Sequence, residues 1–381
     1  MKLIFDLTKT QPIGDSKFHG GGKYGEIVFK ALVERSGDIL AYYSKSKWIN
    51  PEIISICQKR GVTLLEEGKN SLSEFAKIYD AFIYSPIIDK EIESFSHDVI
   101  YVATLHGLRT LEMPSDNYRG ALKNLKWGWL YNIYYRLKQS YDFQHELKMY
   151  DRLFSRANIR LLTVSEHSKA SILSYFPKLR HEDVRVFYSP STFKQRKYSL
   201  EGFATKPEKY YFLVSGNRWV KNTVRAVKAF DELFKERPAL RGKVVIAGVK
   251  NRRYFDKYIT NRDRFEFLSY VDEGQLVDLY KNAYLFVYPS LNEGFGYPPL
   301  EAMAEGTPVI ASAIASIPEI CSNAVSYFNP YLVSEIKMRI LQMEDDSYRD
   351  RYIQESKVQF DRIKSKQDRD LNELVNYLLS F

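Results

Sequence analysis

The sequence is poor in cysteine: 381 residues hold two, Cys57 and Cys321, one in each half. That excludes a disulfide framework and a cysteine-rich metal site, and it favours a reducing compartment. No stretch reaches the ~18–20 apolar residues that span a bilayer. The opening MKLIFDLTKT has no long apolar run with a cleavage site, so no signal peptide is expected and the expectation is a cytoplasmic chain. The six histidines, at 19, 97, 106, 145, 167 and 181, have no metal-ligand spacing with each other or with cysteine. The sole Asp-x-Asp, Asp368 to Asp370, lies in a charged terminal stretch and reads as solvated surface, so no metal is expected. There is no fixed-period repeat, no low-complexity tract and no P-loop.

What is present is globular. Hydrophobic residues make up 45% and charged residues 27%, and the length suits two domains rather than one. A formal charge of +9 allows nucleic acid, an anionic membrane or an anionic substrate as partner. No zinc-finger spacing or RNA-binding aromatic motif supports the first of these, so no nucleic acid is expected.

Short β-branched or aromatic runs alternate with helix-length segments. Strands are predicted at 3–7, 39–43, 62–65, 81–84, 99–105, 159–164 and 184–188, and again at 210–214, 243–247, 265–268, 285–288 and 308–311. The polar, basic stretch 189–207 reads as a linker between the two series, and the end of the chain from about 347 as an amphipathic helix. This implies an α/β protein with two doubly wound, Rossmann-like domains facing across a cleft, with ligands beyond the carboxyl ends of the strands. The expected boundaries are 1–195 and 205–354.

Four loops at strand ends could carry chemistry. In "FHGGGKYGEIVFKAL" the glycines at 20–22 precede a helix, as an anion cradle or merely a flexible turn. In "VATLHGLR" His106 follows a strand, as a functional ring or a hydrogen-bonded surface histidine. In "FLVSGNRWVKN" Arg218 and Lys221 arrive at a helix start, which suits a diphosphate or a solvated basic turn. In "EGFGYPPLEAMAEGTPVIAS" Glu293 sits in a loop, Pro298 or Pro299 opens a helix that carries Glu301, and Gly306 ends it. A packed core needs neither carboxylate, and a hydroxyl-rich ligand would satisfy both.

With those residues in view, the chain resembles the retaining glycosyltransferases of family 4, which have the GT-B fold. "PSLNEGFGYPPLEAMAEGTPVIAS" looks like that family's E-x7-E signature, with its glutamates at Glu293 and Glu301. "GGKYGEIVFKAL", "TVSEHSKASI" and "SGNRWVKN" resemble its glycine loop, its late first-domain segment and its Arg…Lys phosphate site. The resemblance implies a metal-independent enzyme moving a sugar from a nucleoside diphosphate sugar to a hydroxyl of a glycan or lipid-linked oligosaccharide in cell-surface polysaccharide synthesis, without a cofactor. Arg218 and Lys221 would neutralise the leaving diphosphate. Glu301 would hold the ribose, and Glu293 with Gly294, Phe295 and Gly296 the donor sugar and nearby phosphate. His106 would face the reacting sugar, Gly21 and Gly22 the phosphates, and the segment containing Tyr270 and Val271 the nucleobase. The last helix would cross back to the first domain, with 355–381 packing on it. The alternative from another class is a catalytically silent subunit of the same fold that stabilises a partner transferase.

One segment stands apart. Residues 119–140 contain five cations, no acid, two Trp and three Tyr, in what reads as the first domain. That composition raises the expectation of peripheral contact with an anionic membrane, against a helix packed on its own domain.

Overall fold

A computed structural model describes residues 1–12, 19–88, 96–122, 127–191 and 209–381. The chain divides into two compact units. The first comprises residues 1–108, 144–192 and 364–381, and the second 109–143 and 193–363. The expected linker at 189–207 lies almost wholly outside the described residues.

The first unit is built on seven strands: β1 (Lys2–Asp6), β2 (Ile39–Tyr43), β3 (Thr63–Glu66), β4 (Ala81–Ser85), β5 (Tyr101–Leu105), β6 (Ile159–Thr163) and β7 (Val184–Val186). All neighbours run parallel, in the order 3-2-1-4-5-6-7. The second unit holds β8 (Tyr210–Leu213), β9 (Lys243–Ala247), β10 (Phe265–Leu268), β11 (Leu285–Tyr288), β12 (Val309–Ser312) and β13 (Ser326–Phe328). It is again all parallel, in the order 10-9-8-11-12-13. Central strands such as AFIYS, YVATL and LFVY are buried along their whole length, which is why they read as unbroken apolar runs. β13, sequence SYF, carries no such signal and was not anticipated.

In both sheets the strand order reverses direction once, between β1 and β4 and between β8 and β11. Loops leaving two such strands diverge to opposite faces, and this opens a crevice at their carboxyl ends.

Three expectations need correction. Residues 109–143 cluster with the second unit instead of the first, because Ala121, Tyr118 and Leu122 pack into its core. Residues 119–140 therefore do not lie in the first domain, and the helix Gly128–Phe154 spans the division. The closing helix, Asp346–Leu379, does serve both units, but it changes allegiance at residue 364 and not at 355. Its Ser356 and Gln359 donate to Ala324 O and Ile320 O in the second unit, and its Gln367 donates to Ser189 O in the first. Nor is the Asp-x-Asp solvated throughout. Asp370 is buried, accepts the Tyr188 amide at 2.8 Å and pairs with Lys366, because the helix face it occupies is the one that docks; Asp368 stays exposed, paired with Lys364.

Candidate active site

The loop after β8 is a tight reversal. Ser215 has φ of 58°, and Gly216 lies so close to the neighbouring strand end that a Cβ would sit 2.5 Å from Val249 and 2.9 Å from Ile246. Any larger residue there would force Val249 and Ile246 to move. The reversal presents Arg218, then a single turn Trp219–Lys221, then Asn222 in the left-handed region at the mouth of the helix Thr223–Glu236. The loop after β11 runs alongside, held by the Leu291 amide donating to Val220 O at 2.8 Å. It carries Ser290 and Glu293, turns at Gly296 (φ 111°) and enters the helix Tyr297–Ala304 with proline in its first turn. Ser316 Oγ donates to the carbonyls of Glu293 and Phe295, at 3.0 and 2.8 Å, and so fixes that turn.

These two loops bring Lys221 and Glu293 together. Lys221 Nζ donates to Glu293 Oε1 at 2.6 Å and to Tyr288 Oη at 2.7 Å, and Ser290 Oγ donates to the same Oε1. Lys221 is only 6% exposed. Burial lowers its pKa, the Glu293 charge raises it, and the positive charges of Arg218 and Arg109 lower it further; the net direction is down. For Glu293 burial acts upward, but Lys221 and the hydrogen bonds from Lys221, Ser290 and Tyr288 outweigh it, so its pKa falls below the usual carboxylate range. Each charge favours the ionised form of the other. Arg218 is exposed and makes no ion pair among the described residues, yet its charge bears on both Lys221 and Tyr288.

Glu301 is tied to the same place through aromatic rings. Tyr280 Oη donates to Glu301 Oε2 at 3.0 Å. The Tyr280 ring meets Phe286 at 5.1 Å, and Phe286 stacks on Tyr288 at 5.8 Å. Both tyrosine pKa values are driven well upward, by burial first and then by the adjoining carboxylates, so both remain neutral donors. Lys221 and Glu293 thus meet beyond the carboxyl ends of β8 and β11, the Arg218 charge bears on Lys221, and Glu301 is linked to the pair through Tyr280, Phe286 and Tyr288. Tyr270 and Val271 follow β10, the edge strand two places from β8; Tyr270 is 76% exposed.

The sequence reading missed the brace behind this cluster. Asp116, 4% exposed, accepts from Trp219 Nε1 at 2.5 Å and from Arg225 Nη2 at 2.5 Å. The Arg225 guanidinium lies between the rings of Tyr118 and Tyr331, 4.6 and 5.3 Å from their centroids. Asn292, beside Glu293, donates to Glu112. One short segment therefore supports the loop that carries Lys221 and the loop that carries Glu293. These partners are 103 to 180 residues apart, and no local pattern marks them.

In the first unit the helix Gly20–Arg35 starts at the glycine cluster, capped by His19, whose Nδ1 accepts the Gly22 amide at 3.0 Å. That amide is spent on a cap. Gly21 and Gly25 serve close packing: a Cβ on Gly21 would meet Ile87 at 2.6 Å, and one on Gly25 would meet Thr10 at 2.8 Å and Pro86 at 2.9 Å. His106 Nε2 lies 2.8 Å from Pro86 O, and its ring meets Tyr24 edge-on at 4.8 Å. A carbonyl can only accept, so Nε2 carries the proton and Nδ1 the lone pair. Burial lowers the His106 pKa to about 4, against the Pro86 hydrogen bond and with help from His19, so the ring is neutral near pH 7. Among the described residues, no group of three His, Cys, Asp or Glu side chains gathers to hold a metal.

Comparison with known proteins bears on the fold. Residues 196–359 match the family described as Glycosyl transferases group 1. Over 192 residues the chain is 30% identical to the O-antigen chain mannosyltransferase RfbU of Salmonella typhimurium, which is 48% of this chain and 51% of that protein. The match thus spans about half the length of that relative. Across its whole length the chain superposes on sucrose-phosphate synthase from Thermosynechococcus elongatus, with a TM-score of 0.69, 15% identity and 100% of each chain covered. HepE of Anabaena, solved with UDP-glucose, gives a TM-score of 0.63 at 14% identity over 99% of this chain and 100% of that one. The chain therefore has a GT-B fold, and residues 196–359 are similar to the group 1 glycosyl transferases.

Proposed function

We infer that this chain is a retaining glycosyltransferase that moves a sugar from a nucleoside diphosphate sugar to a hydroxyl of a glycan or lipid-linked glycan in cell-surface polysaccharide synthesis. The observation that carries the reading is the buried Lys221–Glu293 pair at the strand-order reversal, with exposed Arg218 beside it. The likeness to an O-antigen mannosyltransferase supports the polymer class. The UDP-glucose complex of a protein with the same fold supports the donor class.

Lysine has three N–H donors. Two from Lys221 go to Tyr288 and Glu293, and the third is left for a phosphate oxygen. As the bond from the sugar's anomeric carbon to the phosphate oxygen breaks, negative charge grows on the diphosphate. Arg218 and Lys221 meet that charge more strongly in the transition state than in the ground state, which is what accelerates the step. The acceptor oxygen bonds to the same carbon from the same face, and its proton passes to the departing phosphate oxygen. The products are a glycoside and a nucleoside diphosphate. Glu293 and the turn of Gly294 to Gly296 hold the sugar and nearby phosphate, and Glu301, oriented by Tyr280, holds the ribose hydroxyls. Protein cations carry the role a divalent metal would otherwise take, so turnover is expected to persist in EDTA. Thermal denaturation with UDP-, GDP- and dTDP-sugars tests the reading. The matched donor at a hundredfold excess over Kd should stabilise the chain by about 2.7 kcal/mol. If none of the panel raises the midpoint, the reading is withdrawn.

A further inference from the structure

Within the second unit, the helix Gly128–Phe154 has its polarity reversed over residues 128–143. One face is anchored by polar groups. Asn132 accepts the Gly120 amide at 2.6 Å and donates to Asn117 O, and Gln139 donates to Met113 O at 2.7 Å. Tyr135, on the same face, lies against the Arg119 guanidinium at 4.6 Å. At 3.6 residues per turn the opposite face is Leu130, Ile133, Tyr134, Leu137 and Tyr141. These are 42, 48, 52, 75 and 68% exposed. A surface helix ordinarily turns its apolar stripe to the core and its polar side to water. This one does the opposite, and it sets out a contiguous apolar stripe several turns long.

The borders of the stripe identify what covers it. Arg136 lies on one side and Lys138 on the other, the latter 4.0 Å from Asp142. From residue 119 to 141 there is no Asp or Glu. Two copies packed stripe to stripe would set like charges against each other, where paired helices place opposite charges at their flanks. Anionic headgroups complement the same border. Trp127 and Trp129, 54 and 59% exposed, stand at the helix start, and Tyr134 and Tyr141 lie in the stripe; such rings favour the boundary between headgroups and acyl chains.

We propose that the stripe from Leu130 to Tyr141 lies in the surface of an anionic phospholipid bilayer and holds the chain against it. The contact is peripheral: among the described residues no helix is long and apolar enough to cross a membrane. The proposal does not rest on the transferase reading, and its test uses no sugar. The full chain is floated with phosphatidylcholine vesicles, with and without phosphatidylglycerol. It should float with the anionic vesicles at low salt and be released as salt rises. L137E should weaken that binding by about tenfold or more. R136Q with K138Q should weaken it by roughly tenfold on anionic vesicles. Neither change should move the thermal midpoint, since all three side chains face solvent. The proposal is overturned if the chain fails to float with anionic vesicles at low salt, or if L137E floats as well as the parent. A concentration-dependent dimer in sedimentation that L137E dissolves would assign the stripe to a second copy instead.

Discussion

The two strand-order reversals use one topology for different ends. In the first unit the residues beyond β1 and β4 are arranged by packing: glycines let a helix approach Ile87, Thr10 and Pro86, and the histidines there are neutral or spent on caps. In the second unit the crevice beyond β8 and β11 holds charge: Arg218, Lys221 and Glu293, with Arg225 and Asp116 behind them. A doubly wound sheet supplies the place, and the loop residues decide its chemistry.

If that contrast is right, the second unit should break electrostatically and the first sterically. The largest loss is expected for Asp116→Ala, which strands the buried Arg225 and the Trp219 indole. It should cost about 3–5 kcal/mol in urea denaturation followed on the second unit. A loss under about 0.5 kcal/mol would show that Asp116 braces nothing. Next, Glu293→Ala and Arg218→Ala should lower kcat by roughly 10²–10³-fold. Arg218→Ala should leave stability within about 0.5 kcal/mol, because the side chain is exposed. Parent-like turnover in both would remove the charged crevice from the chemistry.

Gly25→Ala tests the first unit. Alanine improves helix propensity by about 1 kcal/mol. Its Cβ, however, would lie 2.8 Å from Thr10 and 2.9 Å from Pro86. Overpacking of that kind costs about 1–3 kcal/mol. A net destabilisation is expected, and a stabilised variant would mean the helix can retreat. The smallest effect concerns pH. The His106 pKa, lowered from 6.5 to about 4, makes the folded state bind its proton less readily than the unfolded chain does. Its contribution is therefore present above pH 6.5 and is lost as pH falls through 4. His106→Gln should flatten that part of the acid limb. An unchanged limb would show that the ring titrates normally.

Much of the second site was legible. The proline opening of the Glu301 helix and the glycine that ends it follow from backbone rules local to a few residues. The ring path from Glu293 to Glu301 was not, because Tyr280, Phe286 and Tyr288 read only as core aromatics. Asp116 was not either, since a carboxylate in a polar loop gives no hint of a partner more than a hundred residues on. Asp370 shows the same limit: its helix position is plain in the sequence, but only docking reveals that its carboxylate meets a backbone amide.

Periodicity, turn residues and unbroken apolar runs are short-range properties, and on their own they fixed two parallel sheets and the loops that leave them. Tertiary structure alone decided which loops meet, that residues 109–122 support the charged cluster, and which side of the helix at 128–143 turns outward. Each of these depends on free energy shared between groups distant along the chain, such as buried ion pairs, orphan amides and packed rings. A linear pattern does not record such pairings.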